Sequence, residues 1–160
     1  MMKLYSKLFI IISFFFTGIS AMERTPAPDN AEVYIISPMD NESVNNPVQV
    51  IFGLKNMGIA PAGVKNSHTG HHHLLIDLDK LPALDRPIPN DKNHIHFGKG
   101  QTESSLNLTS GKHTLQLILG DHHHIPHDPA VISNKITIEN ILIESPGNDG
   151  IDFMESEGKI

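Results

Sequence analysis

The chain has 160 residues, of which 11 are histidine and none is cysteine, and it carries 12 basic against 18 acidic side chains. A formal charge of −6 argues against nucleic acid as a partner, because such proteins present basic faces to phosphate. Without cysteine no disulfide can staple the fold, so it holds by packing or with help from a bound ion.

In chain order, Lys3 and Lys7 precede an apolar run over 8–16, and the small residues Gly18, Ser20 and Ala21 follow. That is the pattern of a secretory signal peptide over 1–21, with cleavage after Ser20 or Ala21. The run is shorter than the roughly 20 residues of a spanning helix. No cysteine follows it to accept a lipid, so the expectation is a periplasmic or secreted chain with no membrane anchor after cleavage.

Residues 22–31, rich in proline and polar groups, predict a flexible lead-in. A single domain is expected over 32–143, followed by an acidic mobile tail over 144–160. The first strand falls at 32–37 and stops at Pro38; the second, 48–54, places Val48, Val50 and Phe52 on one face. Gly58, Pro61, Gly63 and Gly70 make 55–70 a long loop before a third strand at 72–78. Short strands follow at 94–97 and 104–108. The alternating runs within 106–119, joined by a turn containing Gly111, predict a hairpin, and a last strand falls at 131–138. Short strands with turn signals between them, and no run at helical spacing, predict an all-β fold: an antiparallel immunoglobulin-like β-sandwich of about seven strands.

Nine histidines fall into three runs: His71-His72-His73, His94 with His96, and His122-His123-His124 with His127; His68 and His113 stand apart. In such a sandwich the start of the third strand, the fourth strand and the loop after the hairpin meet at one end, with His113 at the other. Alternation gives His71 and His73 one face and His72 the opposite one, and gives His94 and His96 a common face. Imidazole is the commonest metal-ligating side chain. His71, His73, His94, His96, His124 and His127 are therefore the candidate ligands, for a copper or zinc ion. Asp121 or Asp128 is placed to orient an imidazole.

Catalysis has less support. The chain has no His-Glu-x-x-His helix and no Gly-x-Ser-x-Gly elbow, so a metal-dependent hydrolase or redox enzyme is the minor reading. The segment 94–98 is similar to the copper-ligand strand of Cu/Zn superoxide dismutases, but that family's disulfide cysteines are missing. A metal-free alternative is an interaction domain whose histidine end contacts an envelope protein, a glycan or an anionic ligand, with a pH response near neutrality.

Three blocks go further. Gly70-His71-His72-His73-Leu74-Leu75-Ile76-Asp77, His96-Phe97-Gly98-Lys99-Gly100-Gln101-Thr102-Glu103 and Gly120-Asp121 with His124-Ile125-Pro126-His127 resemble a family of small exported bacterial domains of unknown function. The resemblance covers roughly residues 50 to 138. It implies an exported setting and carries no activity or ligand. His68, His122 and His123 fall outside its blocks.

Overall fold

Alternation along the strands sorts the side chains into two layers. A computed structural model describes residues 24–141, and among these there is no helix. Nine strands form: β1 (Glu32–Ser37), β2 (Glu42–Val44), β3 (Val48–Lys55), β4 (Gly58–Ile59), β5 (Thr69–Ile76), β6 (His94–His96), β7 (Glu103–Leu106), β8 (Gly111–Gly120) and β9 (Ile136–Asn140). They build an all-β sandwich of a small sheet, β1-β3-β7, and a larger one, β2-β9-β8-β5-β4, with β6 also paired to β5.

The small sheet has one wet face. In β3 the inward Val48, Val50 and Phe52 are buried while Gln49 and Ile51 are exposed, the alternation expected of a strand covered on one side. Opposite them, Leu74 and Ile76 of β5, Leu115, Leu117 and Leu119 of β8, and Ile138 of β9 complete the core. β5 is different, because every residue from Gly70 to Ile76 is buried. Its outward face carries His71, His73 and Leu75, and it is roofed by the connections rather than open to solvent: Leu75 and Ile118 pack under Ile88, with Leu78, Leu84 and Ile132 around them. The larger sheet thus buries both faces.

Several sequence-based boundaries move. Residues 104–108 and 112–119 do not form a hairpin: β7 pairs with β3 in the small sheet and β8 with β5 and β9 in the large one. The link between them crosses the sandwich. Leu108 is held at the crossing by Asn46, which donates to its carbonyl and accepts from its N–H, while Asn140 donates to the same carbonyl. The loop expected over 55–70 contains β4, which pairs in parallel with the start of β5. β2 also pairs in parallel, with β9, so the sheet is mixed rather than purely antiparallel. The last strand starts at Ile136; Val131 and Ser133 only exchange single backbone bonds with β8.

From Arg24 onward the lead-in is bonded to the loop that follows β8. Thr25 and Ala27 bond to the backbone of Asp128, and Arg24 donates to the carbonyls of Pro126 and His127 and pairs with Asp128. These bonds satisfy the backbone of a proline-containing segment that has no strand partner of its own. The expected signal peptide (1–21) lies outside the described residues, as do 142–160, which include the expected tail.

Candidate metal centre

Register brings the histidines together. β5 and β6 pair antiparallel with His73 opposite His96 and Leu75 opposite His94, while His71 lies opposite Gly120 of β8. His71, His73 and His96 therefore share the outer face of the large sheet. The site forms there, under the connecting loops and at the Gly120 end of β8, with His113 towards the other end of that strand.

Each of these three residues offers a ring nitrogen, and the nitrogens all lie within 4.8 Å of one another. The Nε2 atoms of His71 and His73 are 3.1 Å apart. For comparison, an ion holding tetrahedral ligands at the usual zinc–nitrogen distance separates neighbouring nitrogens by about 3.3 Å. His124 comes over the cluster from the loop after β8, its ring centroid 5.1 Å from that of His71 and 4.7 Å from that of His96. It adds a fourth ring without joining the close group of nitrogens. The remaining centroid separations are 4.9 Å, 4.9 Å, 5.0 Å and 6.1 Å. Four nearly equidistant rings make a distorted tetrahedron; a square would need two diagonals much longer than its sides.

Two glycines make room for the rings. A Cβ on Gly98 would stand 2.3 Å from His96 Cε1, and one on Gly120 would stand 2.9 Å from His73 Nε2. Neither position admits a larger residue with the rings in place. The loop is shaped by Asp121, which is 2 % exposed and accepts from the Thr25 hydroxyl and from the N–H groups of His123 and Ile125. These bonds hold its carboxyl below the usual carboxylate range although burial pushes the other way. They close a turn that leaves His124 at φ 67°, a left-handed conformation costly for a side chain with a Cβ. Ile88 N–H bonds to the His124 carbonyl and Gly63 N–H to that of His122, tying the roof together.

Burial sets the protonation of the cluster. His71 and His73 are 0 % exposed. Burial, with the neighbouring His96 and His124 rings adding to the shift, pushes His71 down to about 4. Burial pushes His73 down to about 2, with His71, His96 and His124 adding to the shift. His96, half-buried, is lowered by burial and then by His124. These rings are neutral at pH 7 and keep a lone pair each, the form that binds a metal. They are also poorly satisfied, since His71 Nδ1, His73 Nδ1 and His96 Nε2 are buried without a hydrogen-bond partner. Each unsatisfied buried group costs about 1–3 kcal/mol, and His72 Nε2 and His127 Nδ1, outside the cluster, are also without a partner.

Two of the six candidate ligands lie elsewhere. His94 shares the face but sits one pleat further along β6, where its Nδ1 is 2.8 Å from Asp91 Oδ1. His127 is fully buried, with Nε2 3.1 Å from the Thr69 carbonyl and its Cε1 2.8 Å from where a Gly70 Cβ would stand. Gly70 belongs to the core-facing set of β5 with His72, so the ring lies on the wrong side of the sheet. His72 turns into the core as expected, its ring 5.1 Å from that of Phe52 and its Nδ1 bonded to the Gln101 carbonyl. His113 is at the far end of β8, bonded to Asp77 Oδ2 at 2.7 Å. Asp128 pairs with Arg24, and Asp121 shapes the loop rather than gripping a ligand ring. Gly98, Gly120 and Arg24 were missed as parts of the site's frame; the glycines directly flanking the histidine blocks were the available signal.

No curated protein and no solved structure matches the chain significantly. Residues 50–140 match the model of the family described as "Domain of unknown function (DUF4399)", a span that contains β5, β6, β8 and all four clustered histidines. That match covers more than half of the chain, and the protein belongs to this family of domains of unknown function.

Proposed function

We propose that the protein is an exported metal-binding module that holds a copper or zinc ion for storage, buffering or delivery. His71, His73 and His96 supply the first three ligands and His124 the fourth after a small side-chain rotation. The observation that carries this is the group of three ring nitrogens within 4.8 Å of one another, where the Nε2 atoms of His71 and His73 bond to each other and His96 Nε2 is buried without a partner. Export is read from the signal-like residues 1–21. Burial of His71 and His73 favours this reading over a metal-free contact surface, which would need its imidazoles at the exterior.

The test is calorimetry with Cu(I), Cu(II) and Zn(II) on protein freed of metal. One equivalent should bind with a Kd well below micromolar for at least one ion. His96→Ala, which removes a ligand outright, should weaken binding by at least about a hundredfold, the upper cost of losing only an outer-shell partner, and His94→Ala should change it little. Millimolar binding, or equal effects of the two substitutions, would sink the proposal.

A further inference from the structure

Charge and geometry together narrow the ion. Resting on the metal-site reading above, we propose that this centre is matched to a monovalent cation, Cu(I), in preference to Zn(II) or Cu(II).

Geometry removes the divalent copper state first. Cu(II) and Ni(II) favour square-planar or tetragonal nitrogen sets, whereas five of the six separations among the rings of His71, His73, His96 and His124 lie between 4.7 and 5.1 Å and the sixth is 6.1 Å. Rings so arranged suit three- or four-coordinate Cu(I) and Zn(II) alike. His73 stands against Gly120 and His96 against Gly98, each closer than a Cβ there would tolerate.

Charge separates the two that remain. All four donors are imidazoles, which bring no negative charge to an ion they ligate. Zinc-bound histidines ordinarily donate their second nitrogen to a carboxylate, carbonyl or water, which adds basicity and offsets the ion's charge. Here the Nδ1 atoms of His71 and His73 are buried without any such partner. Among the described residues the one buried carboxylate is Asp121, next in the chain to Gly120, the cross-strand neighbour of His71. Three hydrogen bonds, from Thr25 Oγ1 and the N–H groups of His123 and Ile125, mark it as ionised. Arg24 is matched by Asp128, so that pair adds no net charge, and His122 Nδ1 faces Asp121 at 3.9 Å. One fixed negative charge balances a monovalent ion. A divalent ion leaves an excess positive charge in a site with two ligands shielded from water, and uncompensated buried charge is costly.

The experiment compares ions on one protein. Cu(I) is titrated anaerobically against bicinchoninate, Zn(II) against 4-(2-pyridylazo)resorcinol, and the Cu(II)/Cu(I) potential of the bound ion is measured by voltammetry. Cu(I) should bind at least about a hundredfold more tightly than either divalent ion. A hundredfold preference over Cu(II) reads as a potential about 120 mV above that of the free aqueous couple, at 59 mV per tenfold. His96→Ala, which alters a half-exposed ring and spares the core, should abolish that preference. Zn(II) or Cu(II) binding as tightly as Cu(I), dependent on His96, overturns this inference and leaves the metal site standing. Failure of every ion to bind in a His96-dependent way overturns both.

Discussion

His124 shows how a single residue is committed to the site. Its φ of 67° places a Cβ-bearing side chain in a region that glycine occupies freely. The Asp121 turn holds it there and aims its ring at His71 and His96. His124→Gly should therefore leave the metal-free fold within about 1 kcal/mol of wild type, since relief of the left-handed strain offsets the added freedom of the unfolded chain. Metal affinity should fall by about tenfold or more. Thermal melts with and without metal check both halves, and a substitution that destabilised the empty protein while sparing affinity would make His124 a structural residue. Legibility at this scale followed alternation. His71, His73 and His96 share a face and His72 opposes them, as period two requires. His94 obeys the same alternation yet is one pleat too far along, within reach of Asp91. No local rule reveals that step.

At the scale of elements, β5 and β8 carry a histidine chemistry at each end. Where the histidine cluster occupies the β8 end near Gly120, the opposite end holds His113, with Nδ1 2.7 Å from Asp77 Oδ2 and Nε2 2.9 Å from the Thr109 carbonyl. Although burial lowers it, the bonds to Asp77 and Thr109 and the Asp77 charge leave the His113 pKa raised. A group whose folded pKa is raised adds stability below its unfolded value, near 6.5, and loses it as the pH climbs through the folded value. Asp77 also accepts from Thr114 N–H, pinning the start of the 77–93 connection that roofs the large sheet. Asp77→Asn should thus flatten the fall in stability on the alkaline side of pH 6.5, as read by urea denaturation at a series of pH values. An unchanged slope would mean that the His113 proton takes no part. The crossing from β7 to β8 was misread as a hairpin because alternation on either side of a glycine turn looks the same whether the two strands pair or part. Asn46 and Asn140, which hold the crossing at Leu108, lie 62 and 32 residues away.

For the whole molecule, the cluster couples stability to pH and to metal. His71 and His73 have folded pKa values depressed below the unfolded 6.5, so their contribution is complete above pH 6.5 and is lost as the pH falls towards the folded values. The metal-free protein should weaken between pH 6.5 and about 4, while the raised His113 pulls weakly in the other sense. An ion at a thousandfold excess over its Kd adds about 4 kcal/mol, which for a domain of this size raises Tm by about 10 °C or more. Protons compete for these rings only near the depressed pKa values, so metal should be retained on dialysis at pH 5.5, where exposed histidines release it. Metal analysis after such dialysis, alongside melting curves, decides this. Loss of metal already at pH 6.5 would show the ligands to be surface imidazoles.

By itself the sequence determined what depends on neighbours along the chain: an all-β fold, the inward set Val48, Val50 and Phe52, the opposed facing of His72, and the concentration of imidazoles in three blocks. Period-two alternation is local, and so are its consequences. Tertiary structure alone decided that β6 pairs with β5 with His96 opposite His73, that His124 rather than His127 crosses the sheet's outer face, and that a roof of connections turns that face dry. Register and cover are set by contacts between segments far apart in the chain, and burial is what turns the clustered His71 and His73 into neutral imidazoles.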